Sequence, residues 1–237
     1  MPELAAERDR AILARALDAA PPVGEPEGWH ARFGRELNAT EDRGHFGARG
    51  LPVIDGKHIE PYRVHAARAV RFIAHDSAKR LLGSRSAFDR PRLGYREVAS
   101  STNRLTLIAA VIPAGVVTTH TIFCLRTPDD EDLQWYLCGI FNSFMANYLV
   151  RLRGGTHLPA AAIHRLPVPR PGRESIAFRR MAALARVADH DVEARAEIHA
   201  RSAAAYGLDR GDFAHVLRSF PLVPAAEREA ALRRFGI

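Results

Sequence analysis

Leu133–Leu152 reads LQWYLCGIFNSFMANYLVRL and runs straight into RGGTHLPAAAIHRLPVP at Arg153–Pro169. Leu133, Leu137, Ile140, Phe141, Phe144, Tyr148 and Leu152 recur at steps of three or four, the spacing of one helix face. Thr127-Pro128-Asp129-Asp130 supplies a start: a hydroxyl able to cap, a proline suited to the first helical position, and acids at the positive end of the dipole. The expectation is one long helix over 128–152 whose aromatic stripe is core. Arg151, Arg153, the following glycines, Thr156 and His157 then make a basic turn. Such a turn either follows a phosphate backbone or is a helix stop whose arginines complement the dipole.

Upstream of that helix, Leu105–Ile112 is apolar on both faces, as a buried central strand is. Pro113-Ala114-Gly115 turns the chain, and Val116–Leu125 is β-branched and aromatic, so the pair predicts a hairpin in the middle of a sheet. Leu51–Val64 (LPVIDGKHIEPYRV) has a short apolar run, an Asp55-Gly56 turn and a second extended piece. Downstream, helices are expected over roughly 174–205 and 225–235, with Gly207 as a C-cap after Tyr206. At the other end, residues 3–20 read as a helix stopped by Pro21-Pro22, followed by a linker rich in Pro, Gly and Glu to about Gly28. Trp29–Gly50 is polar and Arg-rich without a clear period. The fold class expected is α+β: a mixed β-sheet around residues 50–125 packed on the long helix, with a helical C-terminal annex. The divisions are 1–28 (helix and linker), 29–172 (α+β domain) and 173–237 (annex).

A chain of 237 residues can bury a substantial core. No apolar run approaches the ~18 residues of a membrane span, and the N-terminus is charged at once, unlike a signal peptide. Cys124 and Cys138 lie in apolar segments without metal-ligand spacing, which reads as two buried thiols in a cytoplasmic protein. The net charge is +7, and the sequence pI is near 10.1. Only Lys57 and Lys79 are lysines, so 32 of the 34 basic residues are arginine. Arg63–Arg104 carries ten basic and three acidic residues, and Arg151–Arg180 carries seven basic residues against Glu174. Clusters of that kind suit a polyanion, and arginine suits bidentate contact to phosphate or guanine; the bland alternative is a solvated basic face.

Catalytic signatures are absent. Methyl transfer to adenine needs a Gly-rich donor loop and an Asn/Asp-Pro-Pro-aromatic loop to grip the base. The double proline of Ala20-Pro21-Pro22-Val23 lacks both amide and aromatic. P-loop, HExxH, GxSxG and CxxC patterns are missing as well. The histidines, among them His45, His58 and His65, form no tight ligand pair, so neither metal nor cofactor is expected. His120, alternating with Val116, Ile122 and Cys124, reads as a core histidine. Asp55, Glu60, Asp129 and Asp130 are the carboxylates left for a rival reading as a restriction nuclease. A basic assembly protein binding acidic partners is a third.

The residues proposed from this pattern for contact with DNA fall into three groups. Lys57 and His58 follow the Asp55-Gly56 turn. Arg90, Arg92 and Arg96 precede the polar run Ser100-Ser101-Thr102-Asn103-Arg104, of which Ser101, Thr102, Asn103 and Arg104 are the candidates. Hydroxyls and an amide there can reach phosphates or base edges, and Asn can pair bidentately with adenine. Arg151, Arg153, Thr156 and His157 form the basic turn. Arg96, Asn103 and Arg104 are expected to read bases, Arg151 and Arg153 to hold phosphate.

Four segments, in order, resemble a known family. Gly56-Lys57-His58-Ile59 with Tyr62 is similar to a Gly-basic-x-Ile element. Tyr95–Gly115 resembles an Arg-containing run ending in an apolar strand and Pro-x-Gly turn. Ile140–Pro169 has Asn142-Ser143 in a helix, His157-Leu158 after a basic turn, and a closing Leu-Pro-x-Pro. Ile198–Pro221 carries Tyr-Gly-Leu and then Phe-Pro. This order resembles the TaqI-like C-terminal specificity domains of adenine-specific DNA methyltransferases and type II restriction–modification enzymes, including phage-exclusion relatives, over roughly residues 30–222. The resemblance implies a target-recognition domain that binds double-stranded DNA. Its partner would be an adenine-specific methyltransferase or restriction subunit. The family's catalytic half normally precedes this region, so a separate subunit, a truncated product or a remnant is expected, without methyl transfer of its own.

Overall fold

Short β-branched and aromatic runs build the sheets of this chain. The computed structural model describes residues 7–83, 88–99, 103–127, 130–154 and 157–236. Strands among the described residues are β1 (Phe33–Gly34), β2 (Phe46–Gly47), β3 (Leu51–Ile54), β4 (Ile59–Glu60), β5 (Arg63–Val64), β6 (Arg71–Ile73), β7 (Arg92–Arg96), β8 (Ala109–Ile112), β9 (Val117–Thr118) and β10 (Ile122–Leu125). One sheet has the order β1-β10-β7-β8 and is antiparallel throughout. A second has the order β2-β6-β3-β9 and is mixed, because β3 and β9 run parallel. A small hairpin pairs β4 with β5.

The expected hairpin of Leu105–Ile112 with Val116–Leu125 does not form. β7 lies between β8 and β10, and β9 leaves for the other sheet. Gly94 makes this possible, since a Cβ there would sit 2.4 Å from Ile112 Cδ1 and 3.1 Å from Ile122 Cγ2. The central strand is therefore β7, and β8 is an edge. It reads as a central strand because its outer edge is sealed by other groups. Asn142 Oδ1 accepts from the Ala109 N–H at 3.0 Å, while Asn142 Nδ2 and the Tyr62 N–H donate to the Ala109 carbonyl at 2.8 and 2.9 Å. Asn147 Oδ1 accepts from Thr106 and Leu107 N–H at 2.8 and 2.7 Å. An open row of unpaired amides would cost desolvation or invite another chain.

Helices are α1 (Glu7–Ala19), α2 (His75–Leu82), α3 (Glu131–Phe141), α4 (Phe144–Leu152), α5 (Ala160–His164), α6 (Ile176–Val187), α7 (Val192–Ala205), α8 (Arg210–Arg218) and α9 (Ala225–Arg234). The single long helix expected over 128–152 is two. Asn142 ends α3, and the Ser143 hydroxyl accepts from Ala146 N–H to cap α4. The apolar period continues through the break, so only the Asn-Ser step marks it. Asp130, not Thr127, caps α3, with its carboxylate accepting from Leu133 N–H at 2.7 Å. The Thr127 hydroxyl is engaged with the backbone of Arg32 and His30, and Pro128 and Asp129 lie outside the described residues. The predicted 174–205 helix is likewise α6 and α7, with Asp191 capping the second. Gly207 closes α7 at φ +71, where its N–H bonds Ala204 and the next N–H bonds Ala203. That double bond pattern is a Schellman stop.

One buried apolar cluster runs from Ile12 on α1 to Ala231 on α9. The segment expected as a linker is bonded into it: Val23 and Gly24 donate to the carbonyls of Leu166 and His164 at 2.8 and 3.0 Å. Carbonyls of the Leu166–Pro169 motif are anchored too. Tyr206 donates to Pro167, and Trp29 and Tyr136 both donate to Pro169. Cys124 and Cys138 are buried free thiols, and burial pushes Cys124 up to about 11. His120 is a half-buried turn residue whose Nδ1 accepts from Ala39 N–H, rather than a core strand residue. Among the described residues no helix is long and apolar enough to cross a membrane.

Candidate nucleic-acid interface

Arg96 ends β7 and Glu97 follows it; side chains alternate along an extended chain, so the two face opposite sides. Glu97 is 3% exposed. It pairs with Arg35 and with His157 Nε2 at 3.0 Å, and its carbonyl accepts from Leu158 N–H at 2.7 Å. Arg35 lies over the Phe123 ring at 4.9 Å, and its own carbonyl accepts from the Arg126 guanidinium. Arg126 N–H reaches the Arg32 carbonyl at 2.7 Å. Phe33, turned inward between them, stacks edge-on against Tyr95 and donates its N–H to His164 Nε2 at 3.1 Å. Arg153, after α4, donates to the carbonyls of Ala162 and Arg165 at 3.2 and 2.8 Å.

Arg32, Arg35, Arg126, Arg153 and Arg165 thus converge, with His157, around the edge strand β1 and the turn after α4. A guanidinium bonded to carbonyls keeps its whole positive charge, whereas one bonded to a carboxylate does not. Burial and then the like charge of Arg165 hold Arg153 below its ordinary value. Burial and then Arg32 pull His164 down, with Glu25 opposing. Glu197, by contrast, raises Arg180 through a two-pronged hydrogen bond. Of these, Arg32, Arg153 and Arg165 are exposed and have no carboxylate partner among the described residues, and such arginines on a fixed edge are what a phosphate backbone is held by.

The other face of β7 opens on a cleft of about 570 Å³ between the sheet and the C-terminal helices. Arg96 and Asn103 line it, beside the β4–β5 hairpin and α7. Arg104 lines it as well and is paired with Glu227 of α9.

The residues singled out in the sequence separate accordingly. Arg153 and His157 lie on the basic rim, and Arg96, Asn103 and Arg104 at the cleft. Lys57 is exposed on the turn before β4, and Arg90 is half-buried. Arg92 is a correction: it is 1% exposed, with Nε and Nη2 on Glu36 at 2.7 Å and Nη2 also on the Val116 carbonyl. No DNA reaches it. His58 is a second, buried at 4% with Nδ1 accepting from Asp55 N–H. Arg151 is a third. Its guanidinium holds Thr106 and the carbonyls of Ser219 and Arg104 and lies 4.2 Å from the Phe220 ring, so it clamps the scaffold. Ser101, Thr102 and Thr156 lie outside the described residues.

Of the rival's carboxylates, Asp55 is engaged by Arg71 and Thr119, Glu60 by His65, and Asp130 by the α3 terminus and Arg173; Asp129 lies outside the described residues. Among the described residues no three His, Cys, Asp or Glu side chains come together as metal ligands would. The sequence reading missed Arg32, Arg35, Arg126 and Arg165. No local period marks Arg32 and Arg35, which flank the two-residue strand β1 three positions apart, on opposite faces at a period of two. No family model matches the chain, and no curated protein matches it.

Proposed function

We propose that this chain is a DNA sequence-recognition domain or subunit of a restriction–modification or phage-defence methyltransferase system. It would hold duplex DNA on the basic rim and serve an adenine-specific methyltransferase or restriction partner. The observation that carries the reading is the rim itself: arginines from four separated stretches meet there, and Arg32, Arg153 and Arg165 have no carboxylate partner among the described residues. The motif residues that resemble specificity domains support it from behind. Asn142, Ser143 and the Leu166–Pro169 carbonyls hold the sheet, the split helix and the turn that present the rim.

About three phosphate contacts imply that duplex affinity falls roughly 10–10²-fold between about 50 and 200 mM salt. Fluorescence anisotropy with a labelled mixed-sequence duplex at several salt concentrations measures this. A response that is flat in salt, or no binding at the lowest concentration, overturns the reading in favour of an acidic protein partner.

A further inference from the structure

The cleft on the Arg96 side of β7 contains hydrogen-bonding capacity that the protein itself leaves unused. Tyr62 is 6% exposed, and its hydroxyl is buried without a partner. Arg96 Nε and Asn103 Nδ2 are also buried and unpartnered. Its acids have neighbours: Glu227 pairs with Arg104, Glu60 and Asp189 meet His65 and His190, and Glu60 also acts electrostatically on Arg96. What is free is therefore chiefly donor capacity, and the complement of such a set is an oxyanion.

Two further features fit a ligand. Tyr62 adopts φ +67, a left-handed conformation that a bulky residue rarely holds and that tends to persist at binding sites. Its backbone is pinned there by the N–H bond to Ala109. Across the cleft, Phe144 and His199 stack at 3.8 Å between centroids and give an apolar wall. Burial pushes His199 down to about 3, so that wall is uncharged near neutral pH. A volume of about 570 Å³ lies within the range of small-molecule sites.

We propose that this cleft binds a small organic oxyanion of about nucleotide size, its anionic head on Arg96 and Asn103, with Tyr62 donating from the interior. The ligand is a phosphate monoester or a polycarboxylate, and the site is separate from the basic rim.

Isothermal titration calorimetry of the full chain with adenosine 5′-monophosphate and with citrate distinguishes the two head groups. One of them should bind with one-to-one stoichiometry at millimolar concentration or below. Arg96→Met should weaken that binding roughly tenfold or more, and Tyr62→Phe by about 3–10-fold with the unliganded melting temperature unchanged or raised, since the hydroxyl it removes has no partner in the unliganded chain. If Arg96→Met does not fold, Asn103→Ala takes its place with the same expectation. Binding of neither probe, or binding that both variants leave intact, overturns the proposal. So does binding lost in Arg153→Ala, which would place the anion on the rim. Duplex affinity measured in parallel should be unchanged in Tyr62→Phe, so failure of the cleft and failure of the DNA interface are read separately.

Discussion

At the start of β7, Arg92 is enclosed, its charge met by Glu36 and its donors turned to the Val116 carbonyl. Beyond the other end of the same strand, Arg35, Arg153 and Arg165 stand at the surface; Arg35 meets Glu97, Arg153 donates to the Ala162 and Arg165 carbonyls, and Arg165 has no acid partner among the described residues. Glu36 also accepts from the Thr118 N–H and hydroxyl at 2.7 and 2.9 Å, so the buried pair joins the two sheets through β7 and β9. The difference teaches that an arginine's function here follows from what neutralises it. A guanidinium enclosed with a carboxylate is a fastener, and an exposed one without an acid partner leaves its positive charge to the solvent.

The largest expected effect comes from breaking the buried end. Glu36→Gln leaves the Arg92 charge enclosed without a counter-charge and should cost about 3–5 kcal/mol in denaturant unfolding. A loss below about 1 kcal/mol would mean that Arg92 finds water or another acid, and the contrast between the two ends would weaken.

Sequence reading succeeded where signals were local and failed where they were tertiary. The Gly207 stop and the basic turn at Arg153 depend on neighbouring residues, and the α+β class follows from the order of apolar runs; the starts of α4 and α7 were missed because the apolar period runs through them. Local charge counting was misled, because Arg92 meets an acid 56 residues away and Arg104 one 123 residues away. The central-strand reading of Leu105–Ile112 failed because the Asn142 amide and the Tyr62 N–H cover β8 at Ala109, and Asn147 holds the Thr106–Leu107 segment before it. Arg153 and His157 were legible as a turn. Their meeting with Arg32 and Arg35 was not, since it arises only when β1 pairs with β10.

Asn147→Ala tests the support behind the rim. It leaves Thr106 and Leu107 N–H groups unpaired, and each buried orphan costs about 1–3 kcal/mol, so a loss of roughly 2–4 kcal/mol is expected. Hydrogen exchange at those two amides should accelerate in the variant, and unchanged exchange would show that other groups satisfy them.

A smaller effect concerns His199, whose Nδ1 accepts from the Phe144 N–H at 3.2 Å. Its value in the folded chain lies far below the ordinary 6.5, at about 3. The unfolded chain therefore binds more protons between these limits, and stability falls as pH drops below about 6.5, by up to about 1.4 kcal/mol per unit. Unfolding measured across that window should show a shallower slope in His199→Gln than in the parent chain. Equal slopes would mean that the histidine is protonated in place.

The rim is tested most directly by comparing exposed arginines of the two kinds within one assay. Arg153→Ala and Arg165→Ala remove charges without a carboxylate partner among the described residues, and Arg180→Ala and Arg186→Ala remove charges already matched by Glu197 and by Glu131 with Asp132. Duplex affinity is measured against salt for all four variants. Each of the first pair should reduce the logarithmic salt slope by about one and weaken all sequences alike, while the second pair leaves it unchanged. Equal losses in the two pairs, or a change confined to Arg180 and Arg186, would contradict the assignment of DNA binding to the rim.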